Sequence, residues 1–338
     1  MKKNIILGLF LRGKVKSNGK VKIESQKKLF LKLKNEGKKM GVIVKPISFN
    51  SKTKDFDFLY DRFFSLNKKE TQKAKDFLKK CQEEGKIIFN SRSFIVITIS
   101  KWDTYKSLNK NKELKKHLPK TFLLKDFKSL NSFLIKRKEA ILKLNTGQEG
   151  KSVFLIKKTK EGFLVKTSEK KDRRTILKEI TIKKIEDIQK FLKEWPQKRY
   201  IFQEKIDTAI YKENVFDIRV LLQKAKDGWQ VSDIKARVAS QNSFLTNIHM
   251  GGEQKRGRDL EFLLKEVFKR KPQKIIKSCK EISIKIAEHF EKTIKGNIFE
   301  MGVDLILDKT GKIWIIEVNS KPGEVINLKN NLGRVVNF

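Results

Sequence analysis

Gly302-Val303-Asp304-Leu305-Ile306-Leu307-Asp308-Lys309-Thr310-Gly311-Lys312-Ile313-Trp314-Ile315-Ile316-Glu317-Val318-Asn319-Ser320-Lys321-Pro322-Gly323 is the stretch on which the reading of this chain turns. Two apolar, β-branched runs flank Asp308-Lys309-Thr310-Gly311, a turn-rich connector of hairpin length. With those four residues as the loop, Leu307 pairs with Lys312, Asp304 lies opposite Ile315, and Gly302 lies opposite Glu317. Directly opposed residues share a face, and so do residues two apart on one strand. Asp304, Glu317 and Asn319 then project from one side of the hairpin. Trp314, Ile316 and Val318 face the other side with Val303 and Leu305. A one-residue bulge would change this geometry.

Two carboxylates and an amide oxygen converging on one spot make a hard, all-oxygen, negative site. Such a set suits Mg²⁺, which takes a few protein oxygens and completes its shell with substrate phosphates. The competing reading is a solvated polar face on an edge hairpin, the usual fate of surface acids. Three ligand-type residues together, in a chain poor in acid, favour the metal.

Outward from the hairpin, the 338 residues suffice for two or three domains with real cores. Hydrophobic residues make up 38% and Phe alone numbers 24, which excludes a disordered tail. The formal charge is +40, with Lys and Arg in almost every segment. One reading is an acidic partner: nucleotide, acidic peptide, anionic wall polymer or nucleic acid. The other is lysine-rich codon usage that decorates every surface. Cys81 and Cys279 are isolated, so no disulfide framework or metal spacing is present and a reducing cytoplasm is expected. The start, MKKNIILGLFLRG, imitates a signal peptide, but its apolar run is short and meets Arg12 without a small-residue cleavage site. No run approaches membrane-spanning length.

Strand and helix alternate through the first part. Strands are expected at Ile5–Leu11, Gly41–Pro46, Phe56–Phe64, Ile87–Phe89 and Phe94–Ile99, with helices at Glu24–Asn35, ended by Gly37, and Glu70–Glu84, closed by Gly85. The pattern predicts an α/β domain with a mainly parallel sheet. Trp102–Leu118 reads as a helix ending at Pro119, the expected domain boundary. Beyond it come a helix at Leu123–Leu134 and strands at Glu139–Leu144, Ser152–Lys158 and Gly162–Lys166. A short helix follows at Ile185–Lys193, then a strand at Tyr200–Gln203. Val215–Gln223 and Gln230–Ala239 form a hairpin around Asp227-Gly228. Leu260–Phe268 and Ile275–Lys295 are helices, the second amphipathic through Ile282, Ile286 and Phe290.

Asn145 to Ser152 ends in Gly-Lys-Ser, but Asn145 stands where a Walker A loop needs its first glycine, and a strand follows; a P-loop is rejected. A glycine-containing loop between strands can still fold over phosphates with its N–H groups, and Lys143 precedes it on a strand; an ordinary exposed hairpin is the alternative. Asp217 and Arg219 share a strand face, with Arg237 on the next strand. Two arginines near a metal suit charge building on a transferring phosphoryl group; an ordinary surface ion pair is the alternative. Thr246 to Gly252 is a polar, Gly-paired loop whose Asn247 could contact phosphate or metal. His249 is one of three histidines, none with ligand spacing to another.

Read together, these pieces resemble the ATP-grasp superfamily, and within it the YheC/YheD-type endospore-coat-associated family. The marks are Leu118-Pro119-Lys120-Thr121, Lys143 with its Gly loop, Tyr200-Ile201-Phe202-Gln203, Phe216 to Val220, Arg237, Asn247 to Gly252, Gly302 to Leu305, and Glu317 to Gly323. Tyr60-Asp61-Arg62 and Lys101-Trp102-Asp103 are weaker marks upstream. The loop departs from the tighter small-residue form of close relatives by carrying Glu149 among its glycines.

The resemblance implies an ATP-grasp fold at 119–338, with lobes at about 119–205 and 206–338, preceded by a pre-ATP-grasp α/β domain at 1–118. It implies ATP and Mg²⁺ as cofactors, and a ligase that activates a carboxylate as an acyl phosphate for attack by an amine. The acceptor would be an amino acid, an acidic peptide or a wall- or spore-related compound. By position, Lys143 would hold phosphates, Gly147 to Gly150 would close over them, and Gln203, Glu204 and Ile206 would form the adenine edge. Asp304, Glu317 and Asn319 would bind Mg²⁺. Arg219 and Arg237, assisted by Asn247, would stabilise developing charge, and Lys321 would meet the acceptor's carboxylate. The expected location is the cytoplasm, with spore-coat association implied by the resemblance alone. Two alternatives stand beside the ligase. One is a non-catalytic, coat-associated or polyanion-binding scaffold. The other is nucleic-acid binding, which no basic–aromatic stacking motif recommends.

Overall fold

The computed structural model describes residues 5–15, 21–23, 26–63, 65, 67–146, 153–171, 174–192, 200–240 and 253–322. Three sheets dominate. The first has four parallel strands in the order Val42–Ile47, Ile5–Phe10, Phe58–Asp61, Ile87–Phe89. Helices Lys27–Lys39 and Lys68–Glu83 accompany it. The mainly parallel α/β expectation for this part holds. Gly37 does not end its helix; it lies inside, where an added Cβ would sit 2.6 Å from the carbonyl of Val42. Its role is close approach of helix to strand, and the helix stops instead at Met40 before Gly41, whose φ is 71°.

Phe94–Ile99 is not a strand. It lies in a helix, Arg92–Ile99, started by Ser91, whose hydroxyl accepts the N–H of Phe94. The β-branched run suggests extension, but the cap and the burial of Phe94 and Thr98 on one face decide for the helix. The expected helix 102–118 is two pieces, Lys101–Leu108 and a 3₁₀ turn at Leu114–His117.

The second sheet has six antiparallel strands, in the order Arg174–Ile182, Phe163–Lys171, Val153–Lys158, Glu139–Leu144, Tyr200–Glu204, Thr121–Leu123. Helix Phe127–Arg137 packs against it through Leu130 and Leu134. Arg174–Ile182 was not expected as a strand, and Thr121–Leu123 belongs to the sheet rather than to the helix read at Leu123–Leu134. It is an edge strand, with Thr121 opposite Gln203. The Ile185–Lys193 helix is a 3₁₀ segment at Ile185–Phe191.

The third sheet carries Glu253–Arg256, Gly228–Val238, Asn214–Ala225, Glu300–Leu307 and Ile313–Asn319 in that order, all antiparallel, with Ile210–Tyr211 paired to Asn214–Ala225. One face is apolar. Phe216, Ile218, Val220, Ala236, Val303, Leu305, Ile315 and Val318 pack against Leu263 and Leu264 of helix Arg258–Phe268 and Ile286 and Phe290 of helix Pro272–Thr293. Period-two alternation then sends the intervening side chains to the opposite, polar face. Among the described residues, no helix is long and apolar enough to cross a membrane.

The register of the last hairpin corrects the sequence reading. Leu307 pairs with Ile313, not Lys312, because Lys312 belongs to the loop. Asp308 closes that loop: its Oδ1 accepts from the N–H groups of Thr310 and Lys312 and its Oδ2 from the indole of Trp314. Leu305 pairs with Ile315, but Asp304 pairs with Glu317, so Ile316 is an extra residue, a β-bulge. Ile313 and Ile315, rather than Trp314 and Ile316, therefore join Val303, Leu305 and Val318 in the core. The bulge lets Ile315 face the core and Glu317 face away from it, although they stand only two positions apart.

Candidate functional site

The polar face of the third sheet is crossed by a band of charge. Asp304 lies directly opposite Glu317 on one side and Arg219 on the other; Asp217 lies opposite Arg237. Asp304 is 6% exposed. Its Oδ1 is 2.6 Å from Arg219 Nη1 and 3.2 Å from Arg237 Nη2. Arg237 also forks onto Asp217, with Nε at 2.7 Å from Oδ1 and Nη2 at 2.5 Å from Oδ2. Burial works against the charge of Arg237, but Asp304 and Asp217 outweigh it and raise its pKa further above the ordinary value. Gly302 makes room for this pairing, since a Cβ there would lie 3.0 Å from Arg219 Nη1. Asn319, opposite Gly302, donates its amide to Asp304 Oδ2 at 3.4 Å.

These side chains fit a divalent cation. Asp304, Glu317 and Asn319 stand on adjacent strands on one face, two carboxylates and an amide, the kind of oxygen donors Mg²⁺ takes. Among the described residues no group of three His, Cys, Asp or Glu comes together to hold a metal ion.

Two lysines share a cleft with Glu317. Lys101 Nζ, at the start of helix Lys101–Leu108, is 3.4 Å from Glu317 Oε1. Lys143, on strand Glu139–Leu144 of the second sheet, is 7% exposed and donates to Gln203 Oε1 at 3.0 Å. Burial, helped by the nearby charge of Lys101 and opposed by Glu317, pushes the Lys143 pKa down from 10.5 to about 8. Gln203 passes the contact on, donating to Thr121 Oγ1 at 2.8 Å. Tyr105, Ile201 and Ile316 are among the residues that line the cleft with Lys101, Lys143 and Glu317.

The structure thus brings together Asp304, Glu317, Asn319, Arg219 and Arg237 on one face, and Lys143 and Gln203 of the second sheet line a cleft with Glu317. Glu204 and Ile206 are half-buried at the junction of the second and third sheets; Glu204 pairs with Arg137 at 3.2 Å. Lys321 lies past Asn319, with its Nζ 2.7 Å from Asp61 Oδ2 and 3.2 Å from the carbonyl of Phe63. Gly147, Gly150, Asn247 and His249 lie outside the described residues. His117 donates Nδ1–H to the carbonyl of Ile313 at 2.7 Å, and His289, buried enough to lower its pKa, meets Ser107 Oγ at 3.1 Å. Both are structural. The two thiols are buried, which raises Cys81 to about 11 and Cys279 to about 12.

Lys101 and Asn145 were not among the sequence-predicted site residues. Asn145 ties the root of the glycine loop to the helix that carries Lys101: its carbonyl accepts from Lys101 N at 3.0 Å and its Oδ1 from Trp102 N at 2.8 Å. The signal in the sequence was a Ser100 cap directly before a lysine, a pattern that places Lys101 at a helix start.

A family model for YheC/D like ATP-grasp proteins matches residues 86–336. The endospore coat-associated protein YheC of Bacillus subtilis (strain 168) is 26% identical over 268 residues, which cover 79% of this chain and 70% of that protein. The endospore coat-associated protein YheD of the same organism is 24% identical over 284 residues, 82% of this chain, and the chain spans 59% of its length. Among solved structures, N5-carboxyaminoimidazole ribonucleotide synthetase from Thermotoga maritima matches with a TM-score of 0.55 and 16% identity, over 98% of this chain and 74% of that one. That likeness is one of fold, and the mixed α/β architecture is that of an ATP-grasp protein. The chain belongs to the YheC/D-like ATP-grasp family.

Proposed function

We propose that this chain is an ATP- and Mg²⁺-dependent carboxylate–amine ligase. The observation that carries the reading is the single polar face on which Asp304 and Glu317 oppose each other, with Arg219 and Arg237 paired to Asp304 and with Lys101 and Lys143 lining a cleft beside Glu317. Phosphoryl transfer asks little covalent help of a protein; cations, metal and alignment do most of it.

In this reading Lys101 and Lys143 hold the phosphates and the 147–150 loop covers them with backbone N–H groups. The Gln203–Ile206 segment would form the adenine edge through the backbone that follows the end of its strand at Glu204, since the Gln203 side chain is committed to Lys143 and Thr121. Asp304, Glu317 and Asn319 would hold Mg²⁺, which when bound neutralises and orients the phosphates. The acceptor carboxylate attacks the γ-phosphorus and ADP leaves. The amine then attacks the acyl carbon, loses a proton, and inorganic phosphate departs. Arg219 and Arg237 carry the charge that builds in both steps, with Asn247 assisting. Lys321 exchanges Asp61 for the acceptor's carboxylate. Residues 1–118 form the pre-ATP-grasp domain, and 119–205 and 206–338 the two lobes, in keeping with sheets that lie within 5–89, 121–204 and 210–319.

The acceptor class is an amino acid, a short acidic peptide or a spore- or wall-related anion, in keeping with the coat association in the names of both relatives and with the +40 charge. The same two facts favour, as a second reading, a non-catalytic coat-associated or polyanion-binding scaffold acting in the same place. Calorimetric titration with Mg·ATP separates the two: binding, together with ADP release that needs both a carboxylate and an amine, supports the ligase. No Mg·ATP binding leaves the scaffold.

A further inference from the structure

Asn90 follows the Ile87–Phe89 strand of the first sheet and is 3% exposed. Its Oδ1 accepts the backbone N–H groups of Phe299 at 2.7 Å and Glu300 at 3.2 Å. Its Nδ2 donates to the carbonyls of Glu300 at 2.8 Å and Ser320 at 2.6 Å. An amide side chain has two acceptor lone pairs and two donor hydrogens, so Asn90 spends its whole capacity on main chain. Three of the bonds grip the start of strand Glu300–Leu307. The fourth grips the end of its partner, one residue beyond Asn319.

That placement matters because the hairpin ladder stops at the Gly302–Asn319 pair. Strand ends fray unless something beyond them holds the two chains together. Here the terminal pair contains one of the three oxygen donors. The first sheet supplies the missing tie, and Arg62 reinforces it by donating to the carbonyl of Pro322 at 2.8 Å and pairing with Glu300 at 3.1 Å.

We propose that Asn90 is a positioning residue for the cation site: it holds the open end of the hairpin shut, so that Asn319 stays opposite Gly302 and beside Asp304. The inference rests on the metal reading given above. Asn90 touches neither nucleotide nor cation; it acts through the backbone at 300 and 320. It follows that loss of Asn90 weakens the part of nucleotide binding that depends on metal and spares the part that depends on Lys101 and Lys143.

The test uses the full chain, titrated calorimetrically with ATP in Mg²⁺ and in EDTA, and with Mn²⁺ in the presence of ADP by electron paramagnetic resonance. For Asn90→Ala the gain in affinity on adding metal should fall about tenfold or more, the usual effect of removing a partner that orients metal ligands, with metal-free affinity unchanged. Tyr60→Phe removes the 2.8 Å bond to Glu300 Oε1 in the same junction without touching the hairpin backbone; it should lower the melting temperature and leave the metal-dependent gain intact. A gain equal to wild type in Asn90→Ala, with lower stability, would make Asn90 merely structural and overturn the proposal. A wild-type chain with no metal-dependent gain would instead sink the ligase reading itself. Should Asn90→Ala fail to fold, hydrogen exchange on the wild type decides. Mg²⁺ with ADP should slow exchange at the Phe299 and Glu300 amides, and unaltered exchange there refutes the coupling.

Discussion

ATP binding by this chain should draw a proton from solution at alkaline pH, and Lys143 is the reason. Its ammonium is buried between the sheets, beside Lys101, and titrates at about 8. At about pH 9, one unit above that value, roughly nine in ten copies are neutral before nucleotide arrives. A polyphosphate next to Nζ favours the charged form. If the bound lysine returns to its ordinary pKa, binding at about pH 9 takes up nearly one proton, and affinity falls about tenfold between neutral pH and pH 9. For the nucleotide-free chain the sign reverses. The folded lysine gives up its proton near 8 and the unfolded one near 10.5. The folded state therefore binds fewer protons between those values, and this residue's contribution to stability rises with pH across that window. Calorimetry of ATP binding in buffers of different ionisation enthalpy reads the proton count directly, and ATP itself is fully ionised at that pH. Lys143→Gln should bind more weakly at neutral pH and show no uptake. Absence of uptake in the wild type, or its persistence in Lys143→Gln, refutes the assignment of Lys143 to the phosphates.

Glu317→Gln should abolish ADP release while leaving circular dichroism unchanged; unaltered turnover would remove the hairpin from the chemistry. Arg62→Ala removes the guanidinium 3.1 Å from the buried Glu300 carboxylate and should cost about 3–5 kcal/mol in urea denaturation, whereas Arg62→Met with Glu300→Met should cost much less than the two single changes summed. Gly302→Val places carbon against Arg219 Nη1, 3.0 Å from the new Cβ, and Pro322, 3.3 Å away; ADP release should fall sharply with secondary structure retained, and Gly302→Ala should be milder.

Local signals made much of the fold legible. The Asp308 turn and its two β-branched runs announced the last hairpin, and Asp227-Gly228 announced the one before it. The parallel first sheet followed from strands and helices taking turns. What escaped depended on distant parts of the chain. The run Phe94–Ile99 has strand composition but folds as a helix because Ser91 caps it and the third sheet's core receives Phe94. Thr121–Leu123 is a strand only because Tyr200–Glu204 lies beside it. Among the site residues, Asp304, Glu317, Arg219 and Arg237 were readable from strand alternation. The Ser100 cap placed Lys101 at a helix start, but its pairing with Glu317, far along the chain, was not readable. The commitment of the Gln203 side chain to Lys143 was likewise invisible, because the two meet only through strand pairing. Alternation alone also put Ile315 beside Glu317, an error that only the extra residue at Ile316 reveals.

That extra residue has a mechanical consequence. Two regular strands can slide past each other by a pair of residues without turning any side chain to the wrong side, so alternation is no guard against such a shift. Here a slide would set Asn319 against Asp304 and carry Glu317 off the site with no penalty in polarity. The kink at Ile316 acts as a detent: to slide, the chain would have to carry its irregularity past Ile315, which is held in the apolar layer at 3% exposure. The spacing of the oxygen donors is in this way locked by a residue that contributes none of them.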